Sequence, residues 1–418
     1  MEKQHDQDIV NNLVSLQNQG DMSLDELKDI LSTTIACDDT NKVIVALGML
    51  ATYIEGDQLT ICLLGPSSSG KTYLAQEVAK YFPKEDVITL SGATPTAMRY
   101  GYDEEDDEGI FHSYYSGKIF IFAEMPNSTL LSTLRSTLSH DSECTTFLST
   151  SGGATGNRKV QKIQYHGYPS VIFCSANLRI DDQEATRSLL LSPEISSKKI
   201  SEATRLAAIR RANPEKYEKE LNSNPKRQKL IDRIKYIKAL GTQSVIIPDA
   251  ETKVYARFYN DATNPSSRDS RDITYIESLI KAITLLNLGS RLNTDTGIVS
   301  STDSDIDEGF RLWNNIKKTQ GSGVVPVVRM FYDDFFLPAY KRLSASNVAN
   351  SVGISIDQIT SFWKDKGIKL PAPSYTIMHD FMPAMERMGL VAKVNDPNDG
   401  RRKLFCPSNK DAILYSNE

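Results

Sequence analysis

The sequence predicts an α/β protein with a core of residues 42–200, a mostly helical region of residues 201–320 and a smaller domain of residues 324–418. Three observations support this fold class. A glycine-rich loop stands between an apolar strand and a helix, short apolar strands then alternate with amphipathic helices, and the last part of the chain reads as three helices and two strands. Strands that are apolar along their whole length are typical of a parallel sheet with helices on both faces.

The composition narrows the class of protein before any motif is considered. The chain has 418 residues, of which 40% are hydrophobic, enough for two or three domains with their own cores. The net charge of -5 argues against binding nucleic acid by bulk attraction but allows a local basic surface. The polar N-terminus and the scattered cysteines lead us to expect a cytoplasmic protein with reduced thiols, no zinc site and no membrane partner.

The first elements are helices that lead into the first strand. Residues 1–41 predict an N-terminal helical segment of two short polar helices, the second with a capping-box pattern at Ser23 and Glu26. A helix around 41–54 then precedes the apolar strand Leu59–Leu64. We expect this strand to belong to the parallel sheet.

A phosphate-binding loop follows that strand. The segment from Gly65 to Thr72 matches G-x4-G-K-[ST], with a helix predicted at Tyr73–Phe82. Its glycines let backbone N–H groups turn toward phosphate oxygens at the positive end of the helix. We expect Lys71 to neutralise the β- and γ-phosphates of ATP and the Thr72 hydroxyl to ligate Mg²⁺. The predicted nucleotide-binding residues are Gly65, Pro66, Ser67, Ser68, Ser69, Gly70, Lys71, Thr72 and Tyr73.

The second half of such a site is an apolar strand that ends in carboxylates. The chain offers Lys118–Glu124, whose last two residues are Ala123 and Glu124. P-loop NTPases usually carry Asp-Glu here, so the sequence departs from their pattern at Ala123. We expect Glu124 to polarise the attacking water. Either the Mg²⁺ site is weaker than usual, or Glu124 also serves as a metal ligand beside Thr72.

The segments after Glu124 distinguish among the families that share a P-loop. In order, they are the predicted helix Leu131–Asp141, a β-hairpin at 144–166, the strand Val171–Ser175, Asn177, the run Glu184–Arg187 and a strand at 188–192. This order resembles the AAA+ ATPases, in the branch with a hairpin inserted before sensor 1. Within that branch, residues 42–320 are similar to the MCM-like replicative helicases of phages and mobile genetic elements.

The resemblance implies a catalytic role for several residues beyond the P-loop. Asn177 takes the sensor-1 position, which orients the lytic water. Arg187 matches the arginine finger, which reaches the γ-phosphate held by the neighbouring subunit. Residues 201–320 match the helical lid, in which Arg271 or, as a second choice, Arg268 corresponds to sensor 2.

The resemblance also implies the partners of the protein. Arg158 and Lys159, near the tip of the hairpin, would project into a central pore and grip the DNA backbone. The expected assembly is a homo-oligomer, a hexameric ring that uses ATP and Mg²⁺ and acts on single-stranded or forked DNA. Since residues 1–41 are too short for the N-terminal domain of true MCM proteins, loading would depend on other parts of the chain or on a separate loader or initiator protein.

Residues 324–418, after a hinge predicted at Gln320–Gly323, have the pattern of a winged helix. Gly353 stands at the turn of a helix-turn-helix, and two strands follow, at Leu390–Val394 and Lys403–Cys406. Winged helices bind either DNA or proteins, and both interpretations stay open. Three basic residues beside the predicted wing are candidates for phosphate contact: Arg401, Arg402 and Lys403. Five aromatic residues are expected in the core: Phe331, Tyr332, Phe335, Phe336 and Phe381.

Three functions compete on these observations. The first is a ring-forming DNA motor, a helicase or translocase in the replication of a phage or mobile element. The second is an AAA+ switch without helicase activity, such as an initiator or a remodelling ATPase, which the alanine at position 123 favours. The third, a small-molecule kinase, leaves the hairpin, the lid and the winged helix unexplained.

Overall fold

The fold class is confirmed as α/β. The computed structural model describes residues 2–92, 103–138, 144–152, 158–176, 187–194, 196–260, 265, 268–320, 326–345, 353–396, 399 and 402–408. The α-helices are α1 Glu2–Gln19, α2 Leu24–Leu31, α3 Asp39–Leu50, α4 Lys71–Ala79, α5 Ser128–Leu138, α6 Ser197–Ala212, α7 Pro214–Asn222, α8 Pro225–Ala239, α9 Ala256–Asn260, α10 Asp269–Leu286, α11 Leu288–Arg291, α12 Asp303–Gln320, α13 Pro326–Phe331, α14 Leu337–Ala345, α15 Ile356–Asp365, α16 Ser374–Thr376 and α17 Met382–Arg387. None of these helices combines the length and apolarity that a bilayer-spanning segment requires.

The strands form one parallel sheet and three smaller sheets. They are β1 Thr60–Leu64, β2 Val87–Leu90, β3 Glu104–Glu105, β4 Ile110–Tyr114, β5 Ile119–Phe122, β6 Cys144–Gly152, β7 Arg158–His166, β8 Ser170–Ser175, β9 Leu189–Leu191, β10 Val245–Ile246, β11 Leu292–Asn293, β12 Ile298–Ser300, β13 Val391–Asn395 and β14 Lys403–Pro407. The parallel sheet has the order β2-β5-β8-β1-β9. All the strands predicted for it are present.

Alternate residues of the parallel sheet enter two different cores, as the two-residue period of a strand requires. Ile61 and Leu63 of β1 face a core built with α2, α3, α10 and α12. Cys62 and Leu64 face a second core, which contains α5, the hairpin sheet and the C-terminal helices. Strands buried on both faces have no polar side, and this is why β1, β5, β8 and β9 are apolar except for polar residues at the ends of β1 and β8.

The predicted hairpin is present as β6 and β7, which pair antiparallel from Cys144 opposite His166 to Gly152 opposite Arg158. It belongs to a second sheet of order β3-β4-β7-β6. In that sheet β4 pairs parallel to β7, and Phe111, Ile163 and Tyr165 are buried in the second core. The hairpin is therefore anchored at its base to the α/β core.

The N-terminal helices pack against the helical region that follows the parallel sheet. Leu16 and Met22 lie in the same core as Leu286 of α10. The guanidinium of Arg233 on α8, almost fully buried, donates to the carbonyl oxygens of Leu286, at 2.7 Å, and of Gly20. One buried arginine thus connects α1, α8 and α10.

The C-terminal part has the predicted order of three helical stretches followed by two antiparallel strands. Short π-helical turns at Tyr332–Phe336 and Ile377–Phe381 join the helices on either side of them. Gly353 allows a close backbone approach, because a Cβ there would lie 2.8 Å from the carbonyl oxygen of Phe405. Of the five aromatic residues predicted for the core, Phe335 is half-buried. The other four are fully buried: Phe331, Tyr332, Phe336 and Phe381.

Candidate functional site

The loop between β1 and α4 has the shape of an anion cradle. Its two ends are fixed, because the Gly65 N–H donates to the carbonyl oxygen of Ser175 at 3.3 Å and α4 begins at Lys71. Between them, Ser68 and Gly70 have positive φ angles of 63° and 90°. Left-handed residues alternating with right-handed ones turn successive N–H groups to one side, which forms a concave site for phosphate.

Lys71 lies inside this loop and is buried. Its ammonium donates to the carbonyl oxygens of Gly65 and Pro66, at 2.8 and 2.7 Å. Burial lowers the pKa of Lys71, and the positive charge of Lys199 lowers it further. The loop therefore concentrates positive charge at the N-terminus of α4, where the helix dipole has the same sign.

A cleft of about 550 Å³ joins the loop to the carboxyl ends of β5 and β8. Lys71, Thr72 and Glu124, three of the predicted site residues, all line it, and Glu124 is exposed. The Thr72 hydroxyl lies 3.5 Å from the carbonyl oxygen of Ala123. The strand β8 stands between β1 and β5, so its end also opens into the cleft through Ser175.

Asn177 lies outside the described residues, and its sensor role stays a prediction. Cys174, which lines the cleft, was not singled out from the sequence. Burial raises the pKa of the Cys174 thiol to about 11, although a hydrogen bond to Thr72 and the charge of Lys71 oppose this. The thiol is therefore protonated at neutral pH and lies beside the site.

A second pocket of about 520 Å³ opens on the other side of the loop. Its walls come from residues 34–36 before α3, from the P-loop, from α6 and from residues 371–373 of the C-terminal part. The lining is mostly apolar, with Ile35, Leu74 and Ala203 among the contributors. The hydroxyl of Thr34 is buried and has no hydrogen-bond partner within the described part of the chain. A pocket of this size beside the phosphate loop, with apolar walls and several polar groups, has the character of a small-molecule site.

Tyr73 connects this pocket to the segment before α3. Its hydroxyl donates to the carbonyl oxygen of Thr34 at 2.9 Å, and burial raises its pKa to about 12. Asp38, on the same segment, forms a buried ion pair with Lys199 of α6. Neither Asp38 nor Lys199 belongs to a sequence motif, so no role was predicted for either.

Arg187, the predicted arginine finger, lies near the amino ends of the parallel strands, whereas the phosphate loop lies at their carboxyl ends. Leu189 pairs with Ile61 at the start of β1, whereas Gly65 follows the end of that strand. At about 3.3 Å per residue, Gly65 lies about 13 Å further along the sheet, and Arg187 precedes Leu189 in the other direction. Arg187 therefore cannot reach the phosphate loop of its own chain.

The two predicted sensor-2 arginines lie near Arg187. Burial raises the pKa of Tyr275 on α10, and the positive charges of Arg268, Arg271 and Arg187 oppose this rise. Arg268 forms an ion pair with Asp272 at 2.8 Å, whereas Arg271 is exposed at the start of α10. All three arginines therefore lie within electrostatic range of Tyr275.

The predicted DNA contacts are only partly described. Arg158 and Lys159 begin β7, opposite Gly152 and Ser151, at the end of the hairpin. Residues 153–157, at its tip, lie outside the described residues, as does Arg401. The guanidinium of Arg402 donates to the Ser355 hydroxyl at 2.8 Å, and the ammonium of Lys403 to the side-chain oxygen of Asn395 at 2.6 Å. Arg402 thus contacts the residue that caps α15, whereas Lys403 links β14 to its partner strand β13.

No cluster of three or more metal-binding side chains occurs in the described part of the chain. A P-loop Mg²⁺ site needs none, because the phosphates and water supply most of the ligands. Neither protein-family models nor curated protein sequences give a match to this chain.

Proposed function

We propose that the protein is an AAA+ ATPase that forms a ring and uses ATP to move along or unwind DNA, as an MCM-like helicase of a phage or mobile element does. One observation carries this proposal. The phosphate cradle and Glu124 lie at the carboxyl ends of the parallel strands, while Arg187 and Arg271 lie toward their amino ends. A protein with this layout needs a second copy to complete each site.

The residues of the cleft divide the chemistry of ATP hydrolysis among them. The loop amides and Lys71 bind and orient the phosphates, and the pocket lined by Ile35 and Thr34 takes the base. Glu124 is the exposed carboxylate that accepts a hydrogen bond from the attacking water. Thr72 would hold Mg²⁺, which supplies charge neutralisation between the β- and γ-phosphates when bound.

The layout also supports a ring. An interface that joins the cradle edge of one copy to the Arg187 edge of the next is heterologous, and repeated heterologous contacts close into a ring when the rotation permits. Arg187 would then place its guanidinium on the γ-phosphate of the neighbouring site, which makes hydrolysis depend on the subunit interface. Changes at that interface would move the hairpins, which end in Arg158 and Lys159, relative to one another.

A second function, an AAA+ switch without helicase activity, is favoured by one observation. The position beside Thr72 is occupied by Ala123, whose carbonyl oxygen rather than a carboxylate faces the threonine hydroxyl. Loss of a carboxylate beside the metal slows hydrolysis, and slow turnover suits a switch. Unwinding of a forked DNA substrate by the purified protein would favour the motor over the switch.

The decisive experiment measures ATPase rate with and without single-stranded or forked DNA. We expect Glu124→Gln and Arg187→Ala each to lower the rate about 100-fold or more, since each removes a group that acts on the transition state. Arg187→Ala should retain nucleotide binding, because its phosphate partner belongs to the next subunit. Normal turnover by Arg187→Ala would refute the finger assignment, and failure of the native protein to hydrolyse ATP with any DNA would refute the motor.

A further inference from the structure

The ion pair between Lys199 and Asp38 lies against the phosphate loop. Lys199 is only 9% exposed and Asp38 only 4%, so the pair is shielded from water. Asp38 also accepts hydrogen bonds from the Asn41 amide, at 3.1 Å, and from the Glu194 N–H, at 2.5 Å. The pair therefore joins the segment before α3 to α6 beside the nucleotide site.

Lys199 contacts the phosphate loop directly. Its ammonium donates to the carbonyl oxygen of Ser69 at 3.0 Å. In a planar trans peptide the C=O and the following N–H point in opposite directions. By holding the Ser69 oxygen, Lys199 fixes the plane of the Ser69–Gly70 peptide, and hence the direction of the Gly70 N–H in the cradle.

The charges of the pair act on any anion bound in that cradle. Lys199 is a second cation beside Lys71, and a Cβ placed on Gly70 would lie 3.8 Å from its ammonium. Asp38 neutralises this second charge at present. Because the surroundings of the Lys199–Asp38 pair are largely inaccessible to water, adding or removing one unit charge here changes the free energy of binding a triphosphate substantially.

We propose that Lys199 is a positioning residue of the phosphate loop and that Asp38, by neutralising it, limits how tightly the site binds a nucleoside triphosphate. This inference rests on the proposed ATP site and adds to it a control of affinity by two residues outside the motif. A moderate affinity allows release of product between steps. Movement of α6, which carries Lys199, would change that affinity.

The proposal predicts opposite effects for the two partners. Lys199→Met leaves Asp38 as a buried negative charge beside the cradle, so the Kd of a fluorescent, slowly hydrolysed ATP analogue should rise about tenfold, as expected for one unit charge across roughly 10 Å. Asp38→Asn leaves the Lys199 charge uncompensated, so the Kd should fall several-fold. The double variant should lie between the two, and Lys199→Arg should stay near the native value.

A merely structural ion pair gives a different pattern. If the pair only stabilises the fold, both single variants lose a partner and both weaken binding. Weaker binding by Asp38→Asn therefore overturns the proposal, as does an unchanged Kd for a folded Lys199→Met. Should Lys199→Met fail to fold, the direction of the Asp38→Asn effect still decides. Lys198→Met, which removes an exposed charge one residue away on α6, is the matched control and should bind as the native protein does.

Lys71→Ala separates this inference from the proposed function. If Lys71→Ala binds the analogue as tightly as the native protein, the nucleotide site itself is wrong. If Lys71→Ala abolishes binding while Asp38→Asn weakens it, the nucleotide site stands and only the role of the pair is refuted.

Discussion

Two residues of the phosphate loop have a left-handed backbone conformation, and its energetic cost depends on whether the residue has a Cβ. Gly70 has φ of 90°, which a residue without a Cβ adopts at no steric cost. Ser68 has φ of 63°, a left-handed conformation that costs a residue with a side chain about 1 kcal/mol or more. The loop thus stores strain at Ser68 where the backbone must curve around an anion, which is common at binding sites.

Gly70→Ala is expected to weaken nucleotide binding strongly and to lower the free energy of unfolding by about 1–2 kcal/mol, since an alanine Cβ is strained in that conformation. Equilibrium titration with a fluorescent ATP analogue and urea unfolding measure the two effects. Ser68→Gly is the matched variant, because it relieves strain in the same loop and should keep both binding and stability. Tight binding by Gly70→Ala would contradict the proposed cradle.

The sequence predicted those site residues whose partners are near in the chain. Lys71 contacts carbonyl oxygens five and six residues before it, and such local geometry recurs wherever the motif occurs. Lys199 reaches a carbonyl 130 residues away, and Asp38 meets it only in the folded protein. No local pattern marks either residue, so the pair could not be found before the structure.

At the scale of elements, apolar runs predicted the parallel sheet and failed only where polar residues interrupt a strand. The strands β1, β5 and β8 are buried along their whole length, are apolar except for polar residues at the ends of β1 and β8, and were all predicted. The strand β4, Ile110–Tyr114, contains His112 and Ser113 and follows an acidic run, so it was not recognised. Its parallel pairing with β7 brings together two histidines that are far apart in the chain.

These two histidines lie at the base of the hairpin. Nδ1 of His112 is 2.9 Å from Nε2 of His166, and Nε2 of His112 is 3.1 Å from the Asp106 carboxylate. A hydrogen bond thus joins the two imidazoles, and the Tyr114 ring stacks on that of His166. Burial lowers the pKa of His166, and the charge of His112 lowers it further.

The lowered pKa of His166 predicts how stability depends on pH. Below the ordinary histidine pKa of about 6.5, the unfolded chain binds a proton at this position that the folded protein refuses, so stability falls as pH drops through that value and is unaffected above it. Unfolding midpoints of the native protein and His166→Gln at about pH 7.5 and about pH 5.5 measure this. His166→Gln should lose less stability on acidification. His379 is exposed, so His379→Gln is the control and should lose as much stability as the native protein. An equal loss by His166→Gln would refute the lowered pKa of His166.

At the scale of the whole molecule, the two cores connect segments that the sequence suggested were separate. The N-terminal segment shares a core with α10 and α12, to which it contributes Leu16 and Met22. The mostly polar sequence of this segment did not predict these apolar contacts. At the predicted hinge, Gln320 is buried, and its amide bonds the N–H and carbonyl oxygen of Leu190 in β9. Residues 321–323 lie outside the described residues. The edge strand that follows Arg187 is thus held by the end of α12.

This layout predicts complementation between two inactive variants. Lys71→Ala has no working cradle and Arg187→Ala has no finger, but each retains the part that the other lacks. In a mixed ring, a site formed by the cradle of an Arg187→Ala subunit and the finger of a Lys71→Ala subunit is complete. Random mixing in equal amounts makes about one quarter of the interfaces complete, so the ATPase rate should recover to about one quarter of the native rate if sites act independently.

The mixing experiment depends on the separation of Arg187 from its own cradle. A variant with both substitutions, mixed with either single variant, is the control and should restore no activity. Lys71→Ala mixed with the double variant has no intact cradle, and Arg187→Ala mixed with it has no finger. Recovery must also vanish when the protein is diluted below the concentration at which rings form. If instead Arg187→Ala alone stays active, or the mixture is no faster than its components, then Arg187 does not complete the site of a neighbour, and the opposite edges of the sheet serve separate purposes.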